Sequence, residues 1–542
     1  MSAATGLAVG VEALPGEIDV LVLGSGASGL VAALRAADAG ASVCVAERAA
    51  LLGGTTCAGG GVIWAPATDL AAQAGYADSA EDGRRYLTAA SGHVMADEDI
   101  AWYVETAAAA VDYLVGSTRV RLTPLARPDY RAEWPGAATG GRSLDNDDFD
   151  PACHDGLAES LRPSSYFPLL TMAERDALNG RAPDADLLAE RRERGVRTMG
   201  GALTGSLVAS ALDRGIHVIR EARASGLDRD GGDWIVAFGD RRVRARAVVV
   251  ATGGFEWNER LRDAFLPFPV TPISAPSNEG DGLEMGMRAG AALADMTSIW
   301  GVPVLTPPDQ VYDGSPSGRM GNVEMTLPGS IVVNAAGERF VNEALAYHDT
   351  CRMFGDTDPS TGRLRNLPAW LVFDADFAAR YPVGGSPAGS PPDWAVSADT
   401  IEGLAELVGI DPRGLVATLT AFNADALRGR DTRFGRGDTA QDRFLGDATH
   451  EPNPCIAPLL APPFSAVPLH PGVLGTAGGL RTDRDGRVLD GRGVPLDGLY
   501  AAGNVSAGVF RNTYPGGGAT LGSAVARAYA AGDAAGRQAV TA

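Results

Sequence analysis

Cysteine is scarce in this chain, and its pattern excludes several classes of protein at once. The five cysteines, Cys44, Cys57, Cys153, Cys351 and Cys455, are odd in number and scattered, with no C-x-x-C or C-x-x-C-H. A disulfide framework, a structural zinc and a c-type haem are thereby excluded. Positive charge is also short: 46 basic residues face 67 acidic ones, the net charge is −21, and no basic block forms a phosphate-tracking stripe. Nucleic acid is therefore not an expected partner. No basic residue precedes Arg35, and no apolar run reaches the roughly 18 residues a membrane span requires. The expectation is a cytoplasmic protein without a signal or span, free to associate loosely with a membrane surface. Internal repeats and long low-complexity tracts are absent as well.

Glycine and apolar residues are plentiful. Seventy glycines and 45% hydrophobic residues in 542 positions give enough material for large cores and for many close backbone turns. Such turns, clustered beside apolar runs, suit a large buried cofactor. The apolar run Ile18 to Leu23 leads into Gly24-Ser25-Gly26-Ala27-Ser28-Gly29, then a helical stretch to Ala39, then a second strand from Ser42 to Ala46 ending at Glu47. This is G-x-G-x-x-G between strand and helix, with an acid about 20 residues on. In that motif Gly24 makes the turn, Gly26 admits a pyrophosphate and Gly29 lets helix and strand pack. The helix N-terminus favours the phosphates, and Glu47 is positioned for a ribose hydroxyl.

A second glycine turn, Gly53-Gly54-Thr55-Thr56-Cys57-Ala58-Gly59-Gly60-Gly61, follows the acid. NAD domains have no use for it, whereas a flavin protein needs backbone beside its pyrophosphate and ring. Two more strand-to-glycine signals lie at Val248 to Gly254 and Gly498 to Asn504. Together they resemble the glutathione-reductase-like FAD fold as used by the fumarate reductase and ketosteroid dehydrogenase flavoproteins. The resemblance implies an α/β protein with a discontinuous Rossmann-type FAD domain, residues 1–295 and 476–542, around a β-rich and helical cap of residues 296–475. The segment Ser277 to Gly286 is similar to the family's G-D-G turn and is also read as a helix cap. The candidate flavin set is Gly24, Gly26, Ser28, Gly29, Glu47, Arg48, Gly53, Gly54, Thr55, Thr56, Gly59, Gly60, Gly61, Ala224, Gly253, Gly254, Asp281, Gly503, Asn504 and Leu521. The six histidines, His93, His154, His217, His348, His450 and His470, avoid the second glycine turn, so FAD is expected to be non-covalent.

In the middle of the chain the pattern predicts a strand from Ser330 to Val333, followed within Asn334 to Glu343 by a turn and a second short strand. A surface loop is expected from Tyr381 to Pro392, and two helices broken at Asp411-Pro412 between Thr400 and Asn423. Near the C-terminus stands Tyr514-Pro515-Gly516-Gly517-Gly518. A phenol and an unshielded amide four residues apart suit one carbonyl oxygen, an oxyanion-hole arrangement. An ordinary turn before the closing helix fits the same string.

Three ordered segments carry a sharper resemblance: Pro128-Asp129-Tyr130, Arg339 to Tyr347, and Tyr514 to Gly518. They are similar to the FAD-dependent 3-ketosteroid Δ1-dehydrogenase family over nearly the whole chain. The resemblance implies Tyr347 as the base for the C2 proton, Tyr130 as its hydrogen-bonded helper, and Tyr514 with the Gly518 N–H gripping the C3 ketone. Flavin N5 takes the C1 hydride, and a separate electron acceptor, a quinone or an artificial dye, reoxidises the flavin. A free phenol has a pKa near 10, so it needs a partner to act as a base at neutral pH. Two phenols provide this without a fixed charge in an apolar steroid pocket. The fumarate reductases share Phe340 to Glu343 but use an arginine soon after it, where this chain has Tyr347 and, further on, Arg352. A ketosteroid oxidoreductase acting at the 4,5-bond, or a relative working on another cyclic ketone, remains open at this stage. A flavoprotein without enzymatic activity would have no use for the phenols.

Overall fold

Three neighbouring strand ends carry the glycine signals. In this computed structural model, which describes residues 6–92, 94–178 and 183–541, a nine-stranded sheet has the central order His217–Arg220, Val43–Ala46, Glu17–Leu23, Arg241–Val250 and Pro495–Ala501, all parallel. These strands are Val/Leu/Ala-rich and buried on both faces, as a parallel sheet covered by helices requires. Leu23, Val250 and Ala501 end side by side, so the loops at Gly24, Gly253 and Gly503 emerge along one edge. The strand order reverses direction between Glu17–Leu23 and Arg241–Val250, which is where open α/β sheets place their ligands.

One face of this sheet is covered by helices Ala27–Asp38 and Ala519–Thr541, which pack with almost no separation. A Cβ on Gly532 would stand 2.3 Å from the Ala32 carbonyl oxygen, and one on Gly536 would stand 2.8 Å from Ala36 Cα. A smaller sheet of Ile63–Trp64, Ser143–Asn146 and Leu122–Pro124 carries the segment that leads to Tyr130.

The second large sheet is mainly antiparallel, ordered Arg319–Met320, Ile299–Leu305, Phe464–Thr476, Ala369–Phe373 and Ser330–Asn334. The strand expected at Ser330 is therefore present. The second short strand expected after it is not: Arg339 makes only an isolated bridge to Val333. Instead, a buried ion pair organises that stretch, with Arg339 clamped between Glu343 at 2.6 Å and Asp431 at 2.8 Å. Desolvating these charges is offset only by pairing, so the backbone follows the side chains. The helices Ile401–Val408 and Pro412–Ala426 break where expected, with Thr400 and Asp411 capping them. Residues 381–392 form an irregular, largely exposed connection.

Candidate active site

The glycines of the first loop divide by what they face. Gly24 has φ +109°, and a Cβ there would lie 2.3 Å from the Ala251 carbonyl oxygen; one on Gly29 would lie 1.9 Å from Gly24 O. Both are demanded by the protein's own packing. A Cβ on Gly26 meets nothing nearer than Thr56 Oγ1 at 3.6 Å. The space beside Gly26 is thus left open by the chain, in the place a pyrophosphate needs, at a helix N-terminus whose dipole favours it. Thr56 Oγ1 accepts from Ala27 N–H at 3.1 Å, and Ser28 packs against Gly503, so the loops at three strand ends form one cradle.

Glu47 is buried and braces this cradle. Its Oε2 accepts from the Ser25 N–H at 3.0 Å and the Ser25 hydroxyl at 2.7 Å, and its Oε1 accepts from Ala49 N–H at 2.8 Å. Arg48 and Asp281 pair with each other at 3.0 Å, while Glu279 and Arg223 extend the network. Ala224 is buried, in the apolar cluster that also holds Ile219, Ala222 and Leu227. In the second turn, Gly53 is pressed by Cys57 and Thr204, and Gly61 by the Gly200 backbone. Gly54 has nothing within 4 Å of a built Cβ, and Gly60 is approached only by the end of Met172 at 2.9 Å. Gly59 closes this short helix by donating to Thr55 O at 3.2 Å, and Thr55 Oγ1 accepts from Ala275 N–H and Asn278. Gly253 packs on Asn278, and Gly254 on Glu256 and Thr476. Asn504 accepts from the Trp300 indole at 3.0 Å. These open faces and braced turns fit an FAD laid along the strand ends.

The three phenols come together. Tyr130 and Tyr347 have ring centroids 5.4 Å apart, Tyr347 and Tyr514 5.3 Å, and Tyr130 and Tyr514 5.9 Å. The Tyr347 hydroxyl is within hydrogen-bonding reach of both others. Burial raises all three phenols above their ordinary range, most strongly Tyr347, so each rests neutral. Tyr514 also meets the Thr520 hydroxyl at 3.1 Å.

Gly518 has φ +99°, and a side chain there would strike Val62 and Trp64 backbone at 2.6 to 2.9 Å. Gly516 O accepts from Ala519 N–H at 3.1 Å to close the turn, while the Gly518 N–H has no acceptor among the described residues. The string therefore forms a turn and also leaves the Gly518 amide available to a ligand. Leu521 lies in the first turn of the helix that follows.

What holds these groups was only partly visible in the sequence. The Pro515 carbonyl accepts from the Tyr86 hydroxyl at 2.6 Å and from Tyr130 N–H at 3.1 Å, tying two of the tyrosine segments together. Asp129, beside Tyr130, is buried, accepting from Trp64 at 2.8 Å and Arg142 at 2.6 Å, with Arg142 held in turn by Asp78. His348 stacks on Tyr514 at 5.6 Å and accepts from Gly301 N–H at 3.3 Å; burial lowers its pKa to about 4, so it is a neutral backing for the phenol. Arg352 points away, half exposed and 3.9 Å from Asp349, and so does not supply the cation a fumarate-type site uses. Of the histidines, His93 lies outside the described residues.

Comparison with known proteins bears on the family and the fold. Residues 19–521 match the family of FAD binding domains. The chain is 40% identical over 532 residues to 4-oxocyclohexanecarboxylate 2-dehydrogenase of Sinomonas cyclohexanicum, covering 95% of this chain and 92% of that one. It is 34% identical to 3-oxosteroid 1-dehydrogenase of Mycobacterium tuberculosis, covering 95% and 97%. The crystal structure of 3-ketosteroid Δ1-dehydrogenase from Sterolibacterium denitrificans with 1,4-androstadiene-3,17-dione superposes with a TM-score of 0.89 at 32% identity, covering 96% of this chain and all of that one. No helix among the described residues is long and apolar enough to cross a membrane. With a fold, a cradle and full-length relatives that agree, this chain belongs to the FAD-binding flavoprotein family that includes the 3-ketosteroid dehydrogenases, and it is an FAD-dependent oxidoreductase acting on CH–CH bonds.

Proposed function

We propose that the chain desaturates the carbon–carbon bond next to the carbonyl of a six-membered ring ketone, as in 1,2-dehydrogenation of a 3-ketosteroid. The observation that carries this is the convergence of Tyr130, Tyr347 and Tyr514 beside the unbonded Gly518 N–H. Tyr514 and Gly518 donate to the ketone oxygen and acidify the adjacent C–H. A neutral buried phenol is a poor base by itself. Tyr347 acts as one in its deprotonated form, having released its proton to solvent before it takes the ring proton, with the Tyr130 hydroxyl donating a hydrogen bond that stabilises the phenolate. Bound FAD supplies the hydride acceptor. The cradle residues hold it without a covalent bond, since no histidine occurs in the second glycine turn. In this reading residues 1–295 and 476–542 form the FAD unit and 296–475 the substrate cap.

A second reading of the substrate is favoured by the 40% identical relative: a small ring ketone instead of a steroid. Anaerobic addition of 4-androstene-3,17-dione or 4-oxocyclohexanecarboxylate to the FAD-loaded protein distinguishes them, because the true substrate bleaches the flavin. If no ring ketone bleaches it, the desaturation proposal fails.

A further inference from the structure

The chain contains no lysine, so every side chain with a fixed positive charge is an arginine. Most arginines are exposed or closed by a carboxylate. Two beside the tyrosines, Arg175 and Arg319, are different, and Arg127, itself closed by a carboxylate, stands next to them. Arg127 stands three residues before Tyr130 and within electrostatic range of its hydroxyl. Asp176 closes Arg127 with two contacts, 2.7 Å to Nε and 2.5 Å to Nη2, and the buried Asp145 also faces it. Arg319 immediately precedes Met320, which packs with Tyr347 on one apolar cluster. Arg319 lies 4.5 Å over the Tyr166 ring, and the Tyr166 hydroxyl accepts from Met320 N–H at 3.2 Å. Phe167 stacks on Tyr166 at 4.6 Å, and Arg175 lies 5.8 Å over Phe167. Phe167 and Met172 in turn pack beside Val62, next to the second glycine turn. The two stacked rings are thus sandwiched between two guanidinium groups, on a wall that joins the flavin cradle to the phenols.

Neither Arg175 nor Arg319 makes an ion pair with a carboxylate among the described residues; Arg319 reaches only the Gln310 side-chain oxygen at 3.3 Å. Both face one shared carboxyl, Glu324, which accepts from Gly384 N–H at 3.2 Å. Burial raises the Glu324 pKa and, together with Arg127, lowers that of Arg175. Two half-buried guanidinium groups that have no carboxylate in ion-pair contact, with Glu324 shared between them and the nearby Asp176 taken by Arg127, are poorly satisfied by the protein, and an apolar steroid ring laid on them would bury them without compensation. A planar carboxylate satisfies both, with the fork geometry that arginine offers.

We propose that Arg175 and Arg319, with Arg127 joining them to Tyr130, form a carboxylate-holding wall, so that the ring ketone taken by this chain carries an anionic carboxylate on the side away from its carbonyl. The proposal rests on the ring-ketone reading above and selects within it. One end of the substrate is held by Tyr514 and Gly518, the other by guanidinium groups, and the reacting carbons lie between them.

The test uses the FAD-loaded protein and two measurements. The first is binding, followed by the change in flavin absorption, of 4-hydroxybenzoate and of its methyl ester, which have the same ring and differ in the charge. The second is turnover of 4-oxocyclohexanecarboxylate, its methyl ester and 4-androstene-3,17-dione with an artificial acceptor. The expected result is that the carboxylates bind and react at least about tenfold better than the esters, with an advantage that shrinks as salt rises. Arg175→Gln and Arg319→Gln should each remove most of that advantage, measured as the ratio of acid to ester, while an unchanged flavin content and melting temperature show that the variants are folded and loaded. Equal use of acid and ester, or variants that weaken both alike, overturns the wall. Ketones desaturated with no preference for the acid would leave the desaturation reading standing without the wall. Tight, arginine-dependent binding of the acid with no ketone desaturated would do the reverse.

Discussion

The cradle at the strand ends and the phenol site beside it are built on opposite plans. In the cradle, function sits in what is missing: the space beside Gly26 and Gly54 is open because the chain puts no side chain there, while Gly24 and Gly29 are small because the protein itself leaves no room. At the phenol site, function sits in what is added, three large side chains from distant segments whose rings fill the space they share. A local motif can carry the first plan. The second needs the whole fold, and damage to it shows in a different observable.

The largest expected effect separates the two kinds of glycine. Gly29→Val places a branched side chain against Gly24 O and should give no folded protein, whereas Gly26→Val should fold with nearly unchanged circular dichroism and purify colourless. A yellow Gly26→Val protein would break the assignment of that space. On the other side of the comparison, Tyr347→Phe and Tyr514→Phe should each lower kcat by about 10²- to 10⁴-fold on the true substrate while FAD stays bound. Full activity in either removes that residue from the chemistry.

The backing of the phenols gives smaller effects. His348 has a folded pKa of about 4, below its unfolded value near 6.5, so the unfolded chain binds more protons between those values. The stability it confers is complete above pH 6.5 and is lost as pH falls toward 4, about 3 kcal/mol at most. Asp145, raised to about 6 by burial, acts in the opposite sense, so the clean reading is the difference between wild type and His348→Gln, whose melting temperature should fall less on acidification. The smallest effect is expected from Asp129→Asn, which leaves Arg142 with Asp78 as its one carboxylate and should cost about 1 to 3 kcal/mol, measured by denaturant unfolding.

This contrast also explains what could be read before any coordinates. Gly24 to Gly29, the strands around them and the helix break at Asp411-Pro412 are set by local backbone rules, and the structure has them where the spacing implies. The tyrosine segments could be recognised as motifs, but their meeting depends on the Pro515 carbonyl and the packing of Met320, which no local pattern encodes. The short strand expected within Asn334 to Glu343 failed because the Arg339 and Glu343 charges, with Asp431 far off in sequence, outweighed β propensity. Arg175 and Arg319 drew no notice for a similar reason: an arginine in sequence looks like any solvated charge until the fold shows which ones lack an ion-pair partner.

The helix pair Ala27–Asp38 and Ala519–Thr541 has a further consequence. One helix starts at the pyrophosphate loop and the other at the turn that presents Gly518, and Gly532 and Gly536 lock them together with no slack. The pair works as a caliper, fixing the span between the Gly26 loop and Gly518 and so, in the proposed reading, between cofactor and ketone. The segments that bear the three arginines lie outside that caliper. Substrate choice can therefore be rewritten in those segments, by drift or by design, without re-gauging the distance over which the reaction occurs.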